Sequence, residues 1–484
     1  MDADLFQAYL ADGGRRGEAP AEAHSGAAGG APCGDLVRVS LVLDSGRADA
    51  VRFDAEGCAA ARAAGAAVAE LAEGAGVLEA AAIGSGDVAA ALGGLSVQGR
   101  HAADLAADAL HRALTAAVRA GAAVAEPASG RVLVAMSGGV DSAVAALLER
   151  EAGNEVVAVT LKLWADRRTD GEKSCCSPQA VLGARALAHS LGIPHFTMDL
   201  ESEFRSAVVG EFLAGYAAGR TPNPCVRCNG ELRIDAMAEL ADRLGAVGLA
   251  TGHYARVADD GEGPLLTAAA DPAKDQTYML AALAPATLAK LRFPLADIEK
   301  PRVRELAAEA GLPVANKRES QDLCFLAGEG RRSFLRRHGR LRDREGDLVD
   351  RRGRVLGRHR GHHHFTVGQR RGIGVAATEP LYVLATDATS NRVTIGTREE
   401  LAVGTIALRD VVLNRDASRV DTARVRYHSK PLACRVVAHA PDGTAQLDLA
   451  EPATGVAPGQ TAALMDGDMI IGHATIARPA TRGV

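Results

Sequence analysis

The turn at residues 137–142 constrains the fold of this chain more than any other segment. An apolar run (VLVAM, 132–136) precedes the turn SGGVDS, and a helix-forming run (AVAALL, 143–148) follows it. Two glycines allow consecutive backbone amides to converge on an anion, and a helix N-terminus adds partial positive charge. The Gly-Lys-Ser/Thr ending of a Walker loop is missing. The segment therefore predicts a phosphate-binding turn between a buried strand and a helix, with Asp141 as a partner for Mg²⁺.

Strands and helices alternate after this turn. Strand-like runs cover residues 156–164 and 195–198, and a helical pattern covers residues 181–191. This alternation predicts an α/β fold with a doubly wound parallel sheet, which binds its ligands at the carboxyl ends of the strands. Past residue 334 the helical periodicity fades, and short β-rich runs with Gly, Asp and Asn turns predict a small β domain and then a C-terminal β-barrel.

Shifts in composition divide the chain further. Residues 1–30 are rich in Gly, Ala and acidic residues and predict a flexible tail, and residues 122–130 predict a linker. The predicted domains are an α+β domain at 31–121, a nucleotide-binding domain at 131–333, a central β domain at 334–395 and the barrel at 396–484.

The overall composition is that of a globular protein with two to four domains. The chain has 484 residues, 47% of them hydrophobic and 24% charged. Its apolar runs are too short to span a bilayer, and Met1 is not followed by a basic and then an apolar region, so we expect a cytoplasmic protein without membrane contact. Residues 331–371 hold fourteen arginines against four acidic residues. A positive field of this density predicts a nucleic-acid partner.

Eight cysteines in a chain of this length are too sparse for a disulfide scaffold. Cys225 and Cys228 form a CxxC pair, and Cys324 stands before a basic stretch. By itself a CxxC pair is compatible with half of a zinc site, a redox pair, two iron–sulfur ligands or two ordinary thiols in a turn. Cys434 has no informative neighbours, and we expect it to be a small buried hydrophobic residue.

The chain resembles the tRNA-specific 2-thiouridylases at six motifs that occur in the order of that family. They are SGGVDS (137–142), GRTPNPCVRCN (219–229), ATGHYAR (250–256), KDQTY (274–278), ESQDLCF (319–325) and FTVGQRRG (365–372). Members of this family replace O2 of the wobble uridine of tRNA, U34, with sulfur. The resemblance covers residues 131–478, and it implies a Rossmann-like domain of the adenine nucleotide α-hydrolase (pyrophosphate-loop) type followed by the two β domains.

This resemblance also implies the chemistry. ATP, with Mg²⁺, adenylates O2 of the uridine, after which a cysteine persulfide attacks C2 and AMP leaves. Cys324 is the implied persulfide carrier and Cys228 the implied second catalytic cysteine, and their disulfide must be reduced between turnovers. The implied partners are tRNAs of the lysine, glutamate and glutamine type and a cysteine desulfurase or sulfur-relay protein.

The same resemblance assigns ligand-binding residues. The implied ATP-binding residues are Ser137, Gly138, Gly139, Val140, Asp141, Ser142, Leu163, Gly252 and His253. The implied tRNA-binding residues are Lys274, Asp275, Gln276, Gln369, Arg370, Arg426 and Tyr427. We expect Arg332, Arg336 and Arg337 to contact RNA or to be solvated. Because adjacent histidines point in different directions, we expect His362–His364 to form a loop beside RNA rather than a metal site.

Cys225 departs from the pattern of this family. Many members have an aspartate at that position, which is proposed as an acid/base, and a thiol does not simply inherit that role. Cys225, Cys228 and Cys324 together are instead what is needed to hold a 4Fe–4S cluster with one open iron that binds sulfide. A thiolation that depends on such a cluster is therefore an alternative to the persulfide mechanism.

The N-terminal region resembles the IscU/NifU-like iron–sulfur scaffold domains between about Phe6 and Ala120. Members supply three cysteines and an aspartate to a cluster or to zinc, and this chain supplies Cys33, Asp35 and Cys58. At the third cysteine position it has Ala102, so that either His101 completes the site or the domain serves for docking or sulfur relay. An iron–sulfur assembly or carrier protein is accordingly the alternative function.

Overall fold

The computed structural model describes residues 2–30, 34–96, 99–166, 177–317, 323–326 and 328–478. They form an N-terminal α+β domain, a parallel α/β domain, a small central β domain and a C-terminal β-barrel. This architecture confirms the predicted fold class. Within the described ranges, the helices are all too short or too polar to cross a membrane.

The N-terminal domain consists of an antiparallel sheet in the order β1-β2-β3, covered by helices. Its elements are α1 (Ala3–Ala11), β1 (His24–Gly29), β2 (Leu36–Asp44), β3 (Arg47–Glu56), α2 (Ala59–Ala72), α3 (Val77–Ala82), α4 (Ser85–Ala91) and α5 (Arg100–Arg119). Helix α5 packs closely on β1, because a Cβ at Gly26 would lie 2.3 Å from the backbone nitrogen of Ala113. The small residues of β1 thus bring the long helix against the sheet.

The flexible tail predicted for residues 1–30 is wrong over the residues that the structure describes. Asp2 caps α1 through a hydrogen bond from the backbone N–H of Asp4 (3.0 Å), and β1 pairs along its whole length with β2. A segment rich in Gly and Ala looks disordered because it has little apolar surface to bury. Here its strand is stabilised by hydrogen bonds to β2 and by close contact with α5, neither of which its composition reveals.

The α/β domain contains a five-stranded parallel sheet in the order β10-β7-β4-β5-β6. Its elements are β4 (Arg131–Ala135), α6 (Val140–Glu151), β5 (Glu155–Lys162), α7 (Pro178–Ser190), β6 (His195–Asp199), α8 (Glu201–Phe204), α9 (Gly210–Ala217), α10 (Pro224–Cys228), α11 (Ile234–Arg243), β7 (Gly248–Thr251), β8 (Arg256–Asp259), β9 (Pro264–Thr267), α12 (Thr277–Leu280), α13 (Pro285–Leu288), β10 (Leu291–Arg292) and α14 (Lys300–Glu309). Central strand β4 is apolar and buried on both faces, as parallel sheets require. The turn at residues 137–142 follows β4 directly.

Two β domains complete the described chain. Their elements are α15 (Arg331–His338), β11 (Gly346–Val349), β12 (Val355–His359), β13 (Tyr382–Asp387), β14 (Arg392–Gly396), α16 (Arg398–Leu401), β15 (Val403–Leu413), β16 (Thr422–Arg424), β17 (Leu432–His439), β18 (Ala445–Ala453), β19 (Thr461–Asp466) and β20 (Met469–Ile476). The central sheet has the order β12-β11-β14-β13. Strands β15-β18-β17-β16-β19-β20 form a closed ring because β15 also pairs with β20, which confirms the predicted barrel.

One hairpin of the α/β domain extends the barrel sheet. Strand β9 pairs with the first residues of β20, and β8 pairs with β9. Asp260, in the turn between β8 and β9, accepts hydrogen bonds from the guanidinium of Arg415 at 2.7 Å and of Arg419 at 2.8 Å. Sheet pairing and ion pairs therefore join the α/β domain to the C-terminal domain, a link between distant segments that the sequence patterns did not predict.

The N-terminal domain packs on strand β6 and helix α7 of the α/β domain. Residues of both domains belong to one continuous apolar core. At its border Asp108 of α5 pairs with Arg185 of α7 at 2.9 Å, with side-chain exposures of 14% and 10%. The ring of His111 lies 5.1 Å from that of His189. A continuous core of this kind makes the two domains one packed unit.

Two fully buried histidines lie at this interdomain contact, and they predict a pH-dependent stability. Burial, with the charge of Arg185 next, holds the pKa of both His111 and His195 well below the usual range. As the pH falls through about 6.5, the unfolded chain binds protons at these rings and the folded chain does not. The free energy of unfolding should therefore decrease below that pH, by up to about 1.4 kcal/mol per pH unit for each ring.

The measurement is urea unfolding between pH 7.5 and 5, followed by circular dichroism. We expect His111→Gln to weaken the pH dependence, since the amide keeps a donor for the carbonyl of Ile83, to which His111 Nε2 bonds at 2.9 Å. His439→Gln removes an exposed histidine and serves as the matched control. An equal pH dependence in the two variants would contradict the prediction.

Candidate active site

The turn after β4 has the geometry of an anion-binding loop. Gly138 has a φ of +69°, which favours glycine, and Gly139 is the N-cap of the twelve-residue helix α6. The Ser142 hydroxyl lies 3.1 Å from the backbone nitrogen of Ser137, from which it accepts, and 3.2 Å from the Ser137 hydroxyl. Val140 is buried beneath the turn. The free N–H groups of the first helical turn are thus directed to the carboxyl edge of the sheet.

Asp141, on the first turn of α6, is the centre of a polar group that the sequence revealed only in part. Its carboxylate accepts from Lys300 Nζ at 2.6 Å and from the Tyr254 hydroxyl at 2.9 Å. The Lys300 side chain is only 8% exposed. A buried ammonium beside the turn supplies positive charge for a phosphate, and a carboxylate at this position can take part in binding Mg²⁺. Lys300 has no distinguishing motif in the sequence, and we did not predict it.

Lys317 joins the turn to the segment that leads to Cys324. Its Nζ donates to the carbonyl of Gly138 at 2.8 Å. This lysine precedes the ESQDLCF motif, of which residues 319–322 lie outside the described residues. We did not predict this lysine from the sequence, although a basic residue just before a cysteine motif is a signal for it.

Gly252 and His253 lie beside the same helix terminus. A Cβ at Gly252 would be 2.6 Å from the backbone nitrogen of Ser142, so the end of β7 lies against the first turn of α6. His253 is bound on both ring nitrogens, by Arg233 at 2.6 Å and by Thr251 at 2.8 Å. Burial, with the charge of Arg233 second, lowers the pKa of His253 to about 3. Since a guanidinium only donates, the neutral ring carries its proton on Nδ1.

The structure brings Cys228, Cys324 and Leu163 into one cluster of packed side chains. Cys225 and Cys228 lie three residues apart on α10, hence on the same side of the helix. Cys228 is 7% exposed, whereas Cys225 and Cys324 are half-buried. The cluster that contains Cys228 and Cys324 therefore lies at the carboxyl edge of the sheet, where Leu163 follows β5.

The packing of Phe325 holds its neighbour Cys324 in place within the structure. Its ring is 5.0 Å from the ring of Phe212, 5.1 Å from that of Phe334 and 6.4 Å from that of Trp164. We call these four rings the aromatic cluster. A ring so enclosed holds the backbone of the preceding residue in place. We did not predict this role of Phe325, because an isolated phenylalanine forms no recognisable sequence pattern.

The three residues at 274–276 that we predicted to contact RNA differ from one another in their hydrogen-bond partners. Lys274 is half-buried, and the Asp275 carboxylate is buried between the Thr277 hydroxyl (2.9 Å) and Arg424 (2.7 Å) of the barrel. The Gln276 side chain accepts from the backbone N–H of Tyr254 at 3.0 Å. The Asp275 carboxylate thus forms an interdomain ion pair.

Other predicted RNA contacts lie in the two β domains. Arg370 and Arg426 are exposed, and Arg370 borders an open cavity of about 490 Å³ formed by residues 372–381. Gln369 bonds to the backbone of its own turn, at Thr366 (3.2 Å) and Arg371 (2.9 Å). The ring of Tyr427 stacks on Tyr278 at 6.4 Å.

The arginines of α15 fall into two groups. Arg332 and Arg336 are exposed, as a contact with RNA or with solvent requires. Arg337 is instead bound to Asp166, with one nitrogen at 2.9 Å, and to Glu329, with Nε at 3.0 Å. The expectation that Arg337 contacts RNA or is solvated is therefore wrong, because its guanidinium is fixed by two carboxylates.

The N-terminal domain brings two of its predicted ligands together. Cys58 is the exposed N-cap of α2, and its thiol lies 3.4 Å from the Asp35 carboxylate, which also accepts from the Cys58 N–H at 2.7 Å. Cys33 lies outside the described residues. His101 is exposed on α5, and Ala102 beside it is buried. Among the described side chains, His101 does not join Asp35 and Cys58 in a group with ligand atoms within 4.8 Å.

Four domain families match the chain in order. They are the NifU-like N terminal domain (residues 11–120), the tRNA methyl transferase HUP domain (130–328), the tRNA methyl transferase PRC-barrel domain (332–397) and the aminomethyltransferase beta-barrel domain (407–476). A solved structure, the U34-tRNA thiolase NcsA from Methanococcus maripaludis with its 4Fe–4S cluster, matches at a TM-score of 0.27 and 18% identity over 43% of this chain and 64% of that chain. This structural similarity is too low to support an inference about the site.

Two relatives with assigned names match over much longer stretches. The tRNA-specific 2-thiouridylase MnmA of Rhizorhabdus wittichii is 46% identical over 349 residues, 71% of this chain and 91% of the relative. The bifunctional protein NifU/MnmA of Rubrobacter xylanophilus is 47% identical over 483 residues, 97% of this chain and 97% of the relative. With that coverage, and with the four domains in order, the chain belongs to the family of bifunctional NifU/MnmA proteins, in which a NifU-like domain precedes a tRNA-specific 2-thiouridylase.

Proposed function

We propose that this chain is a tRNA-uridine 2-sulfurtransferase, which replaces O2 of U34 with sulfur at the expense of ATP. One observation carries the proposal: Lys317, which precedes the Cys324 motif, donates to the Gly138 carbonyl of the anion-binding turn. Because Lys317 and Cys324 are close in the chain, this contact supports a location of sulfur transfer near that of nucleotide activation. Membership of the family supports the same reaction, and the iron–sulfur carrier alternative is not better supported.

Activation comes first because an amide-like oxygen is a poor leaving group. The uridine O2 attacks the α-phosphate of ATP, the bond to the β-phosphate breaks, and pyrophosphate leaves. The backbone amides of residues 137–142 and the N-terminus of α6 bind the phosphates. Lys300 and Lys317 neutralise the charge that develops, and the carboxylate of Asp141 would hold Mg²⁺, which would supply further positive charge at the phosphates. Lys317 exchanges its carbonyl partner for a phosphate when ATP binds.

Sulfur transfer follows at the adenylated C2. The terminal sulfur of a Cys324 persulfide attacks C2 and AMP leaves with the former O2. The Cys228 thiolate then attacks the Cys324 sulfur, and the electron pair of the broken S–S bond forms the thiocarbonyl. A Cys228–Cys324 disulfide remains, which an external thiol reductant must reduce. A cysteine desulfurase or a sulfur-relay protein supplies the persulfide.

Cys225 leaves a second mechanism open. Cys225 lies on one side of α10 with Cys228, and Cys228 and Cys324 belong to one cluster of packed side chains. This arrangement supports these three cysteines as the donor set for a 4Fe–4S cluster. Such a cluster would supply an open iron that holds the sulfide to be transferred. In that case the three thiolates serve as ligands and Cys324 carries no persulfide.

The proposed tRNA substrate has candidate contacts on both β domains. Exposed Arg332, Arg336, Arg370 and Arg426 lie on the two β domains, where they can contact the phosphate backbone. We propose tRNAs of the lysine, glutamate and glutamine type as substrates. We place the reaction in the cytoplasm, where tRNA is found and thiols remain reduced.

Replacement of Lys317 tests the activation step. We expect Lys317→Ala to lower the rate of tRNA-dependent pyrophosphate release by about 100-fold, since it removes one positive donor at the phosphates. Lys290→Ala removes an exposed lysine paired with Asp242 at 2.7 Å and is the matched control. Equal rates for the two variants would refute the role of Lys317.

Replacement of the two catalytic cysteines separates activation from sulfur transfer. We expect Cys324→Ser and Cys228→Ser to lower 2-thiouridine formation by at least about 1,000-fold, because each removes a nucleophile. Both variants should still release pyrophosphate when tRNA is added, since adenylation uses no thiol. Cys434→Ser, in the barrel, should leave both signals unchanged. Loss of pyrophosphate release in the cysteine variants would contradict the order of steps.

Replacement of Cys225 by aspartate separates the two mechanisms. If a persulfide is used, Cys225→Asp restores the acid/base group common in the family and retains thiolation. If a cluster is used, anaerobically purified wild-type protein contains iron and sulfide, and Cys225→Asp loses both together with thiolation. Iron and sulfide analysis of the two proteins, alongside 2-thiouridine formation, decides between the mechanisms.

A further inference from the structure

The turn that opens the FTVGQRRG motif brings together three metal-ligating side chains that the proposed reaction does not use. One ligand atom each from Asp343, His363 and His364 lies within 4.8 Å of the other two. His364 Nε2 is 2.9 Å from the Asp343 carboxylate. The two rings are adjacent, with centroids 4.1 Å apart and planes at 52°. Adjacent histidines thus converge here, contrary to the expectation from sequence.

Two ring nitrogens at this place have no hydrogen-bond partner. His363 is only 4% exposed, and its Nε2 is buried without a partner, as is Nδ1 of His364. An ion pair between His364 and Asp343 leaves both of these nitrogens unsatisfied, which costs free energy in a folded protein. A bound cation would satisfy an imidazole nitrogen that the protein leaves without a partner.

We propose that Asp343, His363 and His364 bind a divalent first-row transition-metal ion of the zinc class. Two imidazoles and one carboxylate form a nitrogen- and oxygen-donor set that suits Zn²⁺, with a fourth position left for water. Mg²⁺ and Ca²⁺ prefer ligands that are all oxygen and are excluded on that ground. The Asp343 side chain is 53% exposed, so an ion can enter from solvent.

A second cluster of possible metal ligands in the described part of the chain differs from the first in its charge. Asp166, Glu329 and His338 also lie within ligand distance of one another. There Arg337 binds both carboxylates and supplies the positive charge itself. Among the described residues, the ion pair of Asp343 is with His364, and Arg360 acts on this carboxylate only through its charge, without an ion pair within 4.0 Å. Within the ranges that the structure describes, the first site therefore lacks a bound cationic side chain such as Arg337, and a metal ion can take that place.

The ion would join two separate segments of the central domain. Asp343 lies between α15 and β11, and the histidines lie in the turn that leads to Gln369 and Arg370. Arg331 already holds this turn, by bonds to the His364 carbonyl and the Thr366 hydroxyl, both at 3.2 Å. The metal site is therefore structural, and its existence does not depend on the thiolation reaction.

Metal titration of the full chain, produced without a polyhistidine tag and stripped with a chelator, tests the site. Zn²⁺ is added in competition with a chromophoric chelator, and Co²⁺ gives a d–d spectrum. We expect wild-type protein to bind one ion more than His363→Ala or Asp343→Asn, or to bind that ion at least about tenfold more tightly. Thiolate sites elsewhere contribute equally to each protein, so they cancel in the difference spectrum.

His362→Ala is the matched control, because this neighbour is bound to Asn391 and to the Ala217 carbonyl at 3.1 Å each and is outside the ligand set. It should bind the ion like the wild type. Asp343→Asn changes an exposed residue and is expected to fold, which keeps the test valid if His363→Ala is unstable. Equal stoichiometry and affinity in wild type and Asp343→Asn, or equal losses in His362→Ala and His363→Ala, would overturn the proposal.

Discussion

The placement of Cys324 depends on two contacts on either side of it in the chain. Before it, the ammonium of Lys317 is bound to the carbonyl of Gly138, in the turn that faces the nucleotide. After it, the ring of Phe325 is enclosed by the aromatic cluster. A charged hydrogen bond joins the segment to the anion-binding turn, and ring packing joins it to α9 and α15, whose Phe212 and Phe334 contact Phe325. The two contacts thus hold the chain on both sides of Cys324.

The apolar character of that location has a chemical consequence. In the proposed reaction the adenylated base is open to hydrolysis, and the side chains in the cluster with Cys228 are buried aromatic and aliphatic residues, which limit the access of water. At the edge of the sheet, Asp141, Lys300 and Tyr254 form one hydrogen-bonded group. This charged group and the apolar surroundings of Cys228 therefore lie on different parts of the same domain.

The N-terminal domain is joined to this core as part of the same packed unit. Its helix α5 lies on β6, and the Asp108–Arg185 pair borders a continuous apolar core. Cys58 and Asp35 remain together at the exposed start of α2, away from that contact. Packing therefore holds the NifU-like domain in one orientation while leaving Cys58, beside Asp35, exposed to solvent.

Local chemistry in the sequence determined the anion-binding turn, the parallel sheet and the barrel, because glycine conformations and strand patterns depend on residues close together in the chain. The six motifs indicated the family and thereby the cysteines. Tertiary structure alone decided that Lys317 reaches Gly138, that Asp275 pairs with Arg424, that residues 256–267 extend the barrel, and that His363 and His364 converge on Asp343. It also decided that the Gly- and Ala-rich N-terminus forms a strand. Each of these depends on contacts between residues far apart in sequence, and such contacts leave no periodic pattern in a single chain.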